Sequence, residues 1–442
     1  MKRLLAAAAL VFALIGTTLA QTVYSDLFVL NGLGETVSKI GLTEDRIWNN
    51  LYTTGDVPNQ IRVWGDSLYI LNSVSSTLQI VNLSAGRQVA EIDLGVNKNP
   101  WNFAYSKSSG KIFITNLMAN SVSVVDVAAK AVVDSIDVGG SPEGILVVGN
   151  RVYVTNTAYD AATYTYGQGT VLVIDALSGT VIDTINTPAN PQALAVDSGG
   201  RIHVVCTGNF GNVAGSVVIL NPATNAIVDT VRVGGTPGEI TITQSGKAYL
   251  SAGGWVGNGV VLKYDALTDS VLRGTNNPII TGLGAMSVLA DNAGHVFVSA
   301  FSDDRVDVID VSADSVVQTY NVGDGPQSLA LWKTTVSNVT ENGAAQQQPL
   351  QFKLEQNYPN PVRAHSNAAG RTNFTFRLPR NETVTLQIYN ILGEEVATIF
   401  NGVSSAGEHT VQMNLSGLSA GLYFYRLKSN GTALTRKLLI VR

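Results

Sequence analysis

Cysteine is almost absent from this chain. Cys206 stands alone among 442 residues, so no internal disulfide can form. It lies in the apolar run Ile202-His203-Val204-Val205-Cys206, where a lone thiol acts as a small buried hydrophobe. Histidine is scarce as well. His365 and His409 fall near the C-terminus, leaving only His203 and His295 for the body, too few for a histidine-rich metal site. No phosphate-cradling Gly-x-x-x-x-Gly-Lys loop occurs. Asp303-Asp304 lacks the regular oxygen spacing that calcium needs and reads as a solvated pair. No metal site and no cofactor is expected. Charged residues make up 14% and are unevenly spread. From Thr22 to Thr335 there are 16 Lys or Arg against 27 Asp or Glu, a net of −11, whereas from Val336 onward the balance is +4. An acidic body argues against nucleic acid as a partner, because that affinity comes from neutralising phosphates.

The N-terminus has the layout of an export signal. Lys2 and Arg3 precede the apolar stretch Leu4 to Ile15, and Thr18-Leu19-Ala20 offers a small-x-small cleavage site. Residues 1–20 are therefore expected to be a signal peptide. The apolar stretch is too short for a stable membrane anchor, and no later stretch replaces it, so no transmembrane segment is expected in the mature chain.

What the chain has in abundance is repetition. An alternating strand with an aromatic centre recurs as Leu68-Tyr69-Ile70-Leu71-Asn72, Ile112-Phe113-Ile114-Thr115-Asn116 and Val152-Tyr153-Val154-Thr155-Asn156. Weaker copies centre on Phe28, His203, Tyr249 and Phe297. Spacings of roughly 40 to 50 residues suit a four-stranded propeller blade. Seven inner-strand openers follow Gly- and Pro-rich connections at Pro58, Pro100, Pro142, Pro191, Pro237, Gly284 and Pro326. The first anchor, Phe28, has no inner strand before it, and the last opener, Pro326, has no anchor after it. The two fragments make one blade, which closes the ring and removes the open edge. The fold expected for residues 22–335 is a seven-bladed β-propeller. This repeat resembles the YVTN family of β-propellers, whose naming segment stands here as Tyr153-Val154-Thr155-Asn156. The resemblance implies an extracytoplasmic protein and does not fix one activity.

Residues 336–350 are polar and read as a linker. Beyond them strand signals resume with a different rhythm over 351–442, consistent with about seven strands in a small Ig-like β-sandwich. The segment Gln356-Asn357-Tyr358-Pro359-Asn360-Pro361 opens this tail, Gly421-Leu422-Tyr423-Phe424-Tyr425 follows, and Arg436-Lys437-Leu438 lies near its end. These stretches resemble the C-terminal sorting domain of the type IX secretion system. The resemblance implies delivery through the periplasm to the cell surface or medium, with the secretion machinery as partner. The sorting residues it marks are Asn357, Tyr358, Pro359, Asn360, Pro361, Gly421, Tyr423 and Lys437. The inserted Val362 to Arg371 departs from the family pattern and implies a looser turn.

The candidate binding residues follow from the propeller reading. Loops after the anchor strands and connections between blades emerge on one face. Three consecutive anchor loops lengthen there and carry Tyr159, Tyr164 and Tyr166, then Phe210, then Trp255. The openers add Trp101, Glu143 and Glu239 around the channel. Aromatic rings beside amides and carboxylates suit glycan, peptide or protein recognition. The expected function is a secreted or surface-displayed binding protein. Two alternatives stand beside it. One is a lactonase-like metal-dependent hydrolase or lyase, with Glu143 and Glu239 holding an ion. The other is a structural envelope protein.

Overall fold

The computed structural model describes residues 21–254, 256–337, 353–363, 371–378, 382–391, 393–404, 407–429 and 432–441. The signal segment, most of the linker and Trp255 lie outside them. The chain divides into two compact units, Ala20–Ser337 and a second containing Asn338–Arg442.

The first unit is all-β and propeller-like. Its described residues form seven sheets with a four-strand path, one of which gains the extra strand Ile279–Thr281. The first sheet joins the two ends of the unit. Gln21–Asn31 pairs with Thr36–Gly41 on one side and antiparallel with Pro326–Ser337 on the other, setting Phe28 opposite Ala330. Each later sheet takes its four strands consecutively, apart from a two-stranded hairpin inserted after Arg151–Asn156. The inner strands touch in a closed cycle, from Pro58–Trp64 through Pro100–Ser106, Pro142–Val148, Pro191–Val196, Ile240–Ile242 and Ala285–Ala290 to Pro326–Ser337 and back.

Local chemistry explains the regularity. In six blades the third strand ends on Asn82, Asp126, Asp175, Asn221, Asp265 or Asp310, and each side-chain oxygen accepts a backbone N–H of the following turn. Such caps stop the strand and set the hairpin. All seven anchors (Phe28, Tyr69, Phe113, Tyr153, His203, Tyr249 and Phe297) are buried. Each packs into a core shared by adjacent blades, except that His203 makes its contacts by hydrogen bonding.

A second set of bonds fixes the channel. Hydroxyls near the ends of anchor strands donate to carbonyls at the start of the next inner strand: Ser73 to Pro100, Thr115 to Glu143, Thr207 to Pro237 and Ser251 to Met286. In these four blades the anchor strand thus positions the start of the next inner strand.

The tail packs two sheets around Phe374, Phe376, Leu386, Ile388, Tyr425 and Leu427. It has eight strands among the described residues, one more than expected, because Lys353–Leu354 and Val362–Arg363 pair as two-residue pieces. Val362–Arg363 runs parallel to the last strand, so the chain leaving the Pro-Asn-Pro turn is held rather than loose.

Candidate functional site at the channel mouth

Six side chains and Gly238, one position from each of the seven sheets, form a first ring at the channel: Asn59, Trp101, Glu143, Gln192, Gly238, Met286 and Gln327. Each follows its opener directly except Met286, which comes two residues after Gly284. They line a cavity of about 170 Å³ together with Gln60, Asn102, Ala193 and Glu239 from the ring behind. Trp101, Glu143 and Glu239, the three channel candidates, therefore share one cavity.

The two carboxylates are not equivalent. Glu143 stands in the first ring. Glu239 lies one residue deeper, since Gly238 occupies the first-ring place in its blade and the Glu239 carbonyl accepts from Ser251 N. Glu239 is also engaged. Gln60 Nε2 and Ser287 Oγ each donate to it at 2.8 Å. Glu143 is 8% exposed, and its carboxylate makes no hydrogen bond or ion pair with the described residues. Burial alone pushes its pKa up to about 8. Symmetric clamping of one ion by the pair does not fit this arrangement, and no cluster of three metal-ligating side chains occurs among the described residues.

The ring behind contains a residue that pattern reading missed. Arg62 donates to Gln60 Oε1 at 2.6 Å, to the Ile61 carbonyl at 2.9 Å and to Asn102 Oδ1 at 3.3 Å. Burial lowers its pKa and the nearby Glu239 charge opposes that shift. A signal was available: Ala104, Leu146, Ala195 and Ala330 hold the same place in other inner strands.

The aromatic candidates are only partly united. Tyr159 and Tyr166 face each other across the inserted hairpin with ring centroids 5.1 Å apart. Tyr166 continues to Phe210 at 5.8 Å, so rings from two blades form one row. Asp160 accepts from Ala162 N within the hairpin, and Asn209 Oδ1 accepts from Gly211 N and Val213 N in the next loop. Phe210 has φ 56° and is 60% exposed, a left-handed backbone that costs a bulky residue about 1 kcal/mol. Tyr166 does not line the cavity but stands near enough for the Glu143 charge, after burial, to raise its pKa. Tyr164 is exposed and stands apart from the row.

Other sequence expectations resolve as follows. Cys206 is buried, and its thiol is pushed up to about 12 by burial. His203 is a core ring, but a hydrogen-bonded one: Asp197 Oδ2 lies 3.1 Å from Nε2, and the Tyr264 hydroxyl 2.7 Å from Nδ1. His295 is 42% exposed and is held by Asp291 at 2.9 Å beside a second cavity that also touches Lys333 and Tyr320. Asp303 and Asp304 are not merely solvated, since they accept the N–H groups of Leu283 and Gly325.

In the tail the sorting motif is fastened to the terminal strand. Asn357 N donates to the Tyr425 hydroxyl at 2.6 Å, which itself donates to the Glu355 carbonyl. Asn357 Nδ2 donates to Thr372 Oγ1 and to the Pro359 carbonyl. The Tyr358–Pro359 and Asn360–Pro361 peptides are cis. Asn360 Oδ1 accepts from Leu439 N, and the Lys437 carbonyl accepts from Gln356. Gly421 pairs with Ile440, and the Tyr423 hydroxyl donates to the Ser419 carbonyl. The spacing Gly417-Leu418-Ser419-Ala420-Gly421 matches Gly-x-Ser-x-Gly but leads into the strand Gly421–Ser429, whereas a nucleophile elbow leads into a helix.

Residues 356–441 match the family described as secretion system C-terminal sorting domain. The tail is a sorting domain. It marks the protein as secreted or displayed on the outer-membrane surface through the type IX system, and implies contact with that machinery. No helix among the described residues is long and apolar enough to cross a membrane. No curated protein matches the sequence. Among solved structures, a Lactobacillus plantarum protein superposes with TM-score 0.56 at 12% identity, over 70% of this chain and all of that one. Hydrazine synthase of Kuenenia stuttgartiensis gives 0.53 at 16%, over 64% of this chain and 96% of its own. A Bacteroides uniformis protein described as a candidate 6-phosphogluconolactonase gives 0.53 at 10%, over 71% and 99%. At these identities the likeness shows the propeller-like fold alone.

Proposed function

We propose that this is an exported binding protein whose YVTN-type, seven-bladed propeller takes its ligand at the first ring of the channel and along the adjoining aromatic row. The observation that carries the reading is Glu143, a carboxylate that lines a polar cavity and has no hydrogen bond or ion pair to a described residue. A carboxylate that faces a cavity in this way keeps its acceptor oxygens available to a ligand. The strained backbone at Phe210 points the same way. Exposed rings contribute area with little entropy loss, which suits recognition of a glycan, peptide or protein.

The lactonase-like reading rests on the two acids and on the fold. Glu239 would have to give up Gln60 and Ser287 before it could hold an ion, so the geometry favours binding. The test is to probe glycan and peptide arrays with the mature full-length protein and with Trp101→Ala/Tyr166→Ala. Discrete signals that the double variant loses at unchanged melting temperature support the binding face. Retained signals place recognition elsewhere.

A further inference from the structure

The chemistry of the first ring narrows the class of ligand, and this step rests on the binding-face reading. The ring holds one carboxylate, one indole, one thioether and three carboxamides (Glu143, Trp101, Met286, Asn59, Gln192 and Gln327), and no basic side chain. All three amides are already engaged. Asn59 donates to the Trp101 carbonyl at 2.8 Å and accepts from Gln327 at 2.6 Å, while Gln192 Oε1 accepts from Thr207.

Among the described residues no basic side chain pairs with Glu143. Arg62, in the ring behind, spends its guanidinium on Gln60, the Ile61 carbonyl and Asn102, and the charge near it is Glu239. The strands touching Pro142–Val148 are Pro100–Ser106, Lys111–Asn116, Arg151–Asn156 and Pro191–Val196. Their titratable groups stand toward the opposite strand end: Tyr105 opposite Ile112, Lys111 opposite Ser106, Tyr153 opposite Leu146 and Arg151 opposite Val148. Tyr166 at the rim is a neutral ring whose ionisation the Glu143 charge discourages. A ligand can therefore bring the cationic partner that no described residue supplies.

We infer that the channel mouth binds an organic ammonium group, seated against Glu143 and framed by Trp101 and Tyr166. A carboxylate flanked by aromatic faces attracts such a cation both by charge and through the ring quadrupoles. A hard divalent ion, by contrast, seeks six or more oxygens, and this ring devotes two of its places to an indole and a thioether. Because burial holds a proton on empty Glu143 up to about pH 8, a bound cation expels that proton. Affinity therefore rises with pH until Glu143 is ionised without help.

Choline serves as the probe, since its quaternary nitrogen does not titrate, and 3,3-dimethyl-1-butanol is its uncharged isostere. Calorimetric titration of the mature full-length protein should show choline affinity rising roughly tenfold per pH unit below pH 8 and levelling above it. The isostere should bind at least about tenfold more weakly, with no pH trend. Glu143→Gln should abolish the trend and weaken choline by a similar factor, while Glu143→Asp keeps the trend. Melting temperatures of both variants show whether they fold. Equal binding of the isostere, a flat pH profile, unchanged binding by folded Glu143→Gln, or no saturable choline binding overturns the inference, as does calcium binding lost with Glu143→Gln. If the arrays still report a ligand that depends on Trp101 and Tyr166, the ammonium class falls and the binding face stands.

Discussion

The Gln60 amide donates to Glu239 Oε1 at 2.8 Å, joining the second blade to the sixth across the channel. Ser287 occupies the other Glu239 oxygen, and the Gln60 carbonyl accepts from Arg62 and Ser328. The ring behind the cavity is thus a polar network in which Gln60 links Glu239 to the Arg62 guanidinium.

Arg62 and Glu239 are half-buried and are joined through Gln60 rather than by a direct ion pair. Glu239→Ala should lower stability by about 1–3 kcal/mol in urea unfolding, through the bonds lost from Gln60 and Ser287. Adding Arg62→Met should cost less than the sum of the two single changes. Strictly additive losses would show that the two charges are not coupled.

Glu143 makes stability depend on pH in an unusual direction. The unfolded carboxyl releases its proton near the ordinary 4.5, whereas the folded one holds it up to about 8. Rising pH across that window favours the unfolded chain. Glu143→Gln should remove the loss and be more stable than the parent at pH 8 by about 4 kcal/mol, with the difference vanishing near pH 4. Unfolding curves with the same pH dependence for both proteins would refute this.

His203 acts at the other end of the scale. Burial lowers its pKa, with the Asp197 hydrogen bond and charge opposing; Arg201 lowers it further and Asp269 raises it. Below about 6.5 the unfolded imidazole takes up a proton that the buried one resists, so stability falls as pH falls. His203→Phe restores the repeat's aromatic ring and removes that acid sensitivity. It also strips a partner from Tyr264 and Asp197, costing about 1–3 kcal/mol at pH 8. The deficit against wild type should narrow by pH 5 in parallel melts.

The ring was legible because its signals are periodic: an aromatic in each anchor strand, a Gly/Pro opener before each inner strand, and complementary fragments at the two ends. The site was legible only in part. Trp101 and Glu143 follow their openers directly, so position alone brought them to the channel. Glu239 comes one residue later, and that offset decides its partners; only strand register reveals it. Arg62 was hidden inside an inner strand read for alternation, although its counterparts are Ala or Leu. The Tyr159–Tyr166–Phe210 row depends on how a hairpin folds over its neighbour's loop, which composition does not encode. Trp255 lies outside the described residues.

Closure itself can be tested by truncation. Ending the chain after Asp324 removes Pro326–Ser337 and leaves Gln21–Asn31 with an unpaired edge. That protein should aggregate and melt without cooperativity, whereas truncation near Val339 should leave a cooperative transition in calorimetry. Equal behaviour of the two would contradict the closing role of the last strand.

The central claim is that ligand enters at the first ring, and hydrogen–deuterium exchange of the mature protein with its strongest array ligand tests it directly. Protection should appear in peptides covering Trp101, Glu143 and Gln192 and in the loops carrying Tyr166 and Phe210. It should be absent in Glu143→Gln at the same ligand concentration. Protection confined to the cavity at Asp291, His295 and Lys333, or to the tail, with the channel peptides unchanged, would contradict the account.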